Sequence, residues 1–246
     1  MKTYRRIYQW DQWLAKSLGS RLLEAERQFL PTLLSDFYGK QAVLIGVPHQ
    51  QNLLKFSAIP RQVLVSPLIH KQRTIPFIEA EFSELPIASA SIDLVLLPHT
   101  LEFIDNPRQL LSEACRIVKP EGYLIIFGFN PCSLWGLNKK WQKHPEIPWT
   151  GNFTYLSTLK KWLALAEFEL VKHEKLLFRP PLQKESLYDK LKLLEWIGSH
   201  CWTPFGGVYM LMTKAKVIPL TPIRLHWEQG LSGVRMTVPR TNTRNI

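Results

Sequence analysis

The stretch from Ile92 to Phe129 constrains the chain more than any other. Ile92 to Leu97 is an apolar run of strand length, closed by Pro98. Asp105-Asn106-Pro107 then supplies a helix cap followed by proline in the first turn. Leu110, Leu111, Ala114, Ile117 and Val118 recur at the spacing of one helix face, and Lys119 sits in the last turn. Pro120-Glu121-Gly122 turns the chain into a further strand, Tyr123 to Phe129. Strand, helix and strand in succession make a βαβ unit, whose crossover is right-handed. A chain committed to this unit builds a parallel sheet and binds ligands at the carboxyl ends of its strands.

The flanking sequence extends the pattern. Apolar residues at helical spacing from Trp10 to Leu34, punctuated by Gly19 and Pro31, predict two or three helical pieces. Ala42 to Gly46 and Val63 to Ser66 read as buried strands, with room for a short helix at Asn52 to Phe56. After Phe129, residues 130–152 are rich in Trp, Pro, Asn and Lys and predict a long ordered loop. Leu156 to Ala166 reads as helix, Phe168 to Phe178 as strand, Leu187 to Ile197 as amphipathic helix and Val208 to Val217 as a last strand. Pro219, Pro222 and Pro239 without periodicity predict a mobile tail over 221–246.

Composition narrows the class. Apolar residues make up 46% and charged residues 21%, the balance of a globular protein, and no run reaches the length of a membrane span. The first eighteen residues lack the apolar core of a secretory signal. Cys115, Cys132 and Cys201 are widely spaced with no C-x-x-C pair, and the histidines show no metal-ligand spacing, so a reducing, cytoplasmic setting without a structural metal is expected. The net charge of +11 is uneven. Residues 31–135 are nearly balanced, whereas residues 136–246 carry seventeen Lys/Arg against eight acids. That excess suits a solvated surface first and an anionic partner, RNA or a membrane surface, second.

Two motifs carry a resemblance. Glu84-Leu85-Pro86-Ile87-Ala88-Ser89-Ala90-Ser91-Ile92-Asp93-Leu94-Val95 resembles the "LPF-x-x-x-SFD-x-V" stretch of the type 11 methyltransferase family. Val118-Lys119-Pro120-Glu121-Gly122-Tyr123-Leu124 resembles that family's "L-K-PGG-x-L" turn, with Arg116 before it, and Asn130 to Trp135 is similar to a bacterial group within the family. The resemblance implies a Rossmann-like α/β fold of the class I methyltransferases, a mostly parallel seven-stranded sheet with an antiparallel last strand and helices on both faces. It implies one domain over 1–220: a helical cover at 1–38, a cofactor-binding core at 40–135, and a substrate region with the last strands at 136–217.

It also implies S-adenosylmethionine as cofactor, held at three places. The acid before the "LP" motif is Glu81, beside the adenine, with Phe82 as a stacking face. The acid that ends the second strand in the family is Ser66 here, a neutral hydroxyl. The glycine-rich loop reads Gly46-Val47-Pro48-His49-Gln50, in which Gly46 alone is retained and Pro48 offers no N–H. His49, Gln50 and Gln51 offer side-chain contacts where backbone ones are lost. Pro98 and His99 end the strand that relatives place near the transferring methyl, which makes Pro98 a cofactor contact. His99 is the candidate general base, because a free imidazole titrates near neutrality, and the alternative is a histidine packed against the strand–loop junction. The expected activity is methyl transfer to a small or lipophilic acceptor, with Trp141 and Trp149 forming either an apolar wall for it or a cover over the core. A catalytically degenerate binding or scaffold protein and an RNA methyltransferase are the alternatives.

Overall fold

The computed structural model describes residues 2–34, 37–69, 74–141, 146–181 and 205–217. Helices α1 (Lys2–Leu14), α2 (Ser17–Phe29) and α3 (Pro31–Leu34) lead into strand β1 (Gln41–Ile45). A 3-10 helix (Pro48–Phe56) joins β1 to β2 (Arg61–Ser66); β3 (Phe77–Glu79), β4 (Ile92–Pro98), α4 (Pro107–Ile117) and β5 (Val118–Phe129) follow. The remaining described elements are α5 (Leu134–Trp141), α6 (Leu156–Leu165), β6 (Phe168–Leu176) and β7 (Val208–Ala215).

The strands form one sheet in the order β3-β2-β1-β4-β5-β7-β6. The first five run parallel, with Val43 opposite both Val63 and Val95 and with Leu96 opposite Ile125. β7 is antiparallel to β5 and to β6. This is the mostly parallel seven-stranded sheet with an antiparallel last strand that the motifs imply. Ala42, Leu44, Leu94, Leu96 and Ile125 are inaccessible to solvent. A central strand of a parallel sheet is covered on both faces, which is why these runs are apolar without alternation. α4 starts as its cap predicts, with Asn106 Oδ1 accepting a hydrogen bond from the Gln109 amide at 3.2 Å.

Several expectations change. Helix α1 begins at Lys2, ahead of the first apolar stripe residue read from the sequence. The helix after β1 begins at Pro48, not Asn52, and is of 3-10 type. β3 adds a three-residue strand, too short for periodicity, paired through Val65 and Ile78. Residues 130–152 are not all loop, because α5 lies within them. Ser133 starts it, its carbonyl accepting from the Leu137 amide and its hydroxyl from the Gly136 amide. Trp149 is buried, whereas Trp141 is exposed on the last turn of α5. The helix expected at 187–197, Trp196, Trp202, Trp227, Cys201 and the tail at 221–246 lie outside the described residues. Among the described residues, no helix is long and apolar enough to cross a membrane.

Candidate cofactor crevice

β1 has β2 on one side and β4 on the other, so the direction of strand order reverses there. In an open parallel sheet the ligand crevice lies outside the carboxyl ends of the strands at such a point. The sheet brings Gly46 after β1, Ser66 at the end of β2, Glu81 and Phe82 after β3, and Pro98 and His99 at the end of β4 to this one edge.

A cavity of about 360 Å³ opens beside the crevice, the size of a small-molecule site. Pro67, Glu81, Phe82 and Asp105 line it from the sheet side, and Thr3, Tyr4 and Ile7 of α1 line it from above. Glu81 is exposed and Phe82 is buried, so a charged rim stands beside an apolar floor. Asp105 is held by the Thr3 hydroxyl and the Arg6 guanidinium, which keep its carboxyl below the usual carboxylate range. Ser66 is buried and does not line the cavity; its hydroxyl accepts from the Leu68 amide at 3.2 Å and shapes its own turn.

The loop after β1 is closed on itself. Gln50 is buried, its Oε1 accepting from the Val47 amide at 3.0 Å and its Nε2 donating to the Pro98 carbonyl at 2.8 Å. A Cβ on Gly46 would stand 2.5 Å from that Oε1. The glycine therefore makes room for a side chain of the same loop. His49 is tied to α1: its amide donates to Asp11 Oδ1 at 3.0 Å, and its Nδ1 lies 2.9 Å from the same oxygen. The hydrogen bond to Asp11 raises the His49 pKa against the opposing effect of burial.

At the end of β4, His99 has a backbone φ of 53°, a left-handed conformation that is strained for any residue with a Cβ. Its ring is wholly enclosed, with Nε2 2.7 Å from Glu26 Oε1 of α2 and Nδ1 3.3 Å from Glu102 Oε1. Trp10 of α1 covers it at 5.7 Å between ring centres and stacks on Phe103 at 4.6 Å. Burial alone would lower this imidazole's pKa; the two carboxylates overcome that and push it up to about 9. The two carboxylates against the ring favour the imidazolium, the form without a lone pair to act as a base. The sequence expectation of a near-neutral imidazole took no account of Glu26, which arrives from a helix more than seventy residues earlier.

The residues fit S-adenosylmethionine with two exceptions, the first being Ser66, whose hydroxyl is turned into its own loop. The cavity and its Glu81–Phe82 border suit a purine nucleoside. Around His99, the Oε2 atoms of Glu26 and Glu102 are buried with no hydrogen-bond partner among the described residues, and neither glutamate lines the cavity. The second is the β1–β4 switch point, where the Gln50 carboxamide bonds the Val47 N–H and the Pro98 carbonyl.

Three residues of this edge escape motif reading: Asp11, Glu26 and Asp105, the last read only as part of a helix cap. A signal existed for two of them. Asp11 falls in the stripe Ile7, Asp11, Leu14, Leu18, and Glu26 in the stripe Leu22, Glu26, Leu30, so each is an acid on an apolar helix face. An acid at such a position is buried with a partner.

Residues 50–126 match the methyltransferase domain. The uncharacterized protein YafS of Escherichia coli is 29% identical over 217 residues, covering 88% of this chain and 85% of that protein. The malonyl-[acyl-carrier protein] O-methyltransferase of Hahella chejuensis is 36% identical over 62 residues, 25% of this chain and 22% of its own length. Among solved structures, a methyltransferase from Thermotoga maritima described as a possible histamine N-methyltransferase superposes with a TM-score of 0.63 at 22% identity, covering 87% of this chain and 97% of that one. The N-methyltransferase NodS of Bradyrhizobium japonicum, crystallised with S-adenosylhomocysteine, superposes with a TM-score of 0.58 at 11% identity over 87% and 99% of the two chains. At these identities the structural likeness is one of fold. With a methyltransferase-domain match at residues 50–126 inside this sheet order, the chain shares the fold of these S-adenosylmethionine-dependent methyltransferases.

Proposed function

We propose that this chain transfers a methyl group from S-adenosylmethionine to a small or lipophilic acceptor. The observation that carries the reading is the cavity at the carboxyl ends of β2, β3 and β4, bordered by Glu81 and Phe82. In this reading Glu81 and Phe82 hold the adenosine, and Gly46 and Pro98 border the amino-acid arm. When bound, the cofactor supplies an electrophilic methyl on a sulfonium. Transfer from it needs two partners held close and in line, and water kept out, more than it needs a covalent intermediate. Ser66 has no part in this assignment, because its hydroxyl is used within its own turn. His99 serves as an acid or as a charge partner in the enclosed arrangement, not as a base.

An apolar acceptor is favoured by what surrounds the end of β5. Phe129 stacks on Trp135 at 5.5 Å and on Phe153 at 4.9 Å, and Trp149 lies 5.6 Å from Trp135. Lys139 stands over the Phe153 ring and donates to the Gly151 carbonyl, and burial lowers its pKa. The test is incubation with methyl-labelled cofactor and an extract separated into small molecules, lipids and RNA. Label is expected among the small molecules or lipids. Label in RNA would overturn the acceptor class.

A second reading, a non-catalytic binding protein on the same fold, is favoured by one observation, the Gln50 side chain seated where the loop would meet its ligand. Cofactor binding without any label transfer would support it.

A further inference from the structure

At the switch point between β1 and β4 stand two buried main-chain groups, the Val47 N–H and the Pro98 carbonyl. One side chain bonds both, and the Pro98 carbonyl also accepts from the Thr100 hydroxyl at 3.3 Å. The Gln50 carboxamide accepts from the first at 3.0 Å and donates to the second at 2.8 Å. An amino acid carries the same pair of functions, a carboxylate that accepts and an ammonium that donates. The carboxamide is therefore a chemical stand-in for an amino-acid group, and it stands where one would dock. The absence of a Cβ on Gly46, which in a nucleotide site lets a ligand approach the backbone, here lets Gln50 Oε1 approach instead. The cavity of about 360 Å³ lies to one side, at the ends of β2 and β3, and neither Gln50 nor Gly46 lines it.

We infer that Gln50 is a gate on the amino-acid half of the cofactor crevice: it competes with the amino-acid arm of a ligand and leaves the nucleoside half open. This rests on the proposed cofactor reading. Only molecules with that arm must displace the carboxamide, so Gln50 weakens S-adenosylmethionine and S-adenosylhomocysteine selectively and is neutral towards adenosine. A site whose competent form is a small fraction of the population binds more weakly in proportion to that fraction. Gln50 lies near the start of the 3-10 helix, one residue after His49, which Asp11 fastens to α1. The gate is thus coupled to the helical cover.

The test is calorimetry of S-adenosylhomocysteine and of adenosine with the full chain, its Gln50→Ala variant and its Gln50→Asn variant. Gln50→Ala is expected to bind S-adenosylhomocysteine about tenfold tighter than the parent, with adenosine affinity unchanged within about twofold. Gln50→Asn keeps the amide but is one methylene too short to span from Val47 to Pro98. It is expected to gain affinity in the same direction, and it answers the question if the alanine variant does not fold. S-adenosylhomocysteine affinity that stays level or falls in a folded variant, with adenosine still bound, overturns the gate and leaves the cofactor reading standing. No binding of either ligand to any of the three proteins overturns both.

Discussion

An imidazole sealed from water gives up its proton readily unless a negative charge lies against it. His99 has two such charges, Glu26 and Glu102, and they push its pKa up to about 9. In the unfolded chain the same group titrates near 6.5. Folding therefore raises its affinity for the proton. The stability this contributes is fully present below about pH 6.5 and is lost as pH rises through about 9. Urea unfolding at about pH 6 and about pH 10 should show a loss of at most about 3 kcal/mol, and His99→Gln should remove most of it. His49 beside Asp11 is shifted the same way and should keep a small part. A stability that ignores pH across this window would mean that His99 is buried neutral. Glu26→Gln tests the cause directly: proton NMR of the imidazole should show its pKa falling by a unit or more (about 1.4 kcal/mol per unit). No movement would mean that Glu102 alone holds the proton.

At the scale of elements, two attachments position the crevice. Arg116 on α4 donates to the Leu85 and Ile87 carbonyls and pairs with Glu113, whose carboxylate in turn accepts from the Leu85 amide. This fastens the segment after Glu81 and Phe82 to α4. Lysine has the charge but not the fork. Arg116→Lys should therefore cost about 1 kcal/mol and speed amide exchange at Leu85 while leaving β5 protected. Unchanged exchange at Leu85 would show that the segment is held by other contacts. The second attachment is the cover, α1 and α2, which reaches the sheet edge through Asp11, Trp10 and Glu26. These two attachments also mark what was legible. Arg116 sits inside a motif, and the βαβ unit around it announced itself because capping residues, helical period and turn residues agreed from Asp105 to Phe129. β1, β2 and β4 were legible as continuous apolar runs. The cover's contribution was not, because pairing of Glu26 with His99 is a tertiary fact and motif reading treats α1 and α2 as amphipathic helices only. α5 was missed because its Asn and Gly look like loop, and β3 because three residues carry no period.

At the scale of the molecule, charge and crevice lead to different expectations. The net charge of +11 lies largely outside residues 31–135. RNA binding through those residues would release counterions and weaken steeply with salt. No association with tRNA is expected at physiological ionic strength, since the basic residues alternate with acids; tight, salt-sensitive binding would put RNA back among the acceptors. The crevice carries the central claim, that a cofactor with an adenosine half binds at the carboxyl edge of the sheet. Pro48 in place of an amide donor and Ser66 turned into its own loop each forfeit a contact, on the order of 1 kcal/mol apiece. The most direct measurement is calorimetric titration of S-adenosylhomocysteine into the parent chain and into Glu81→Ala. The account predicts weak, saturable binding to the parent, weakened a further fivefold or so (about 1 kcal/mol) by the substitution. An absence of heat at millimolar ligand, or binding indifferent to Glu81, would contradict it.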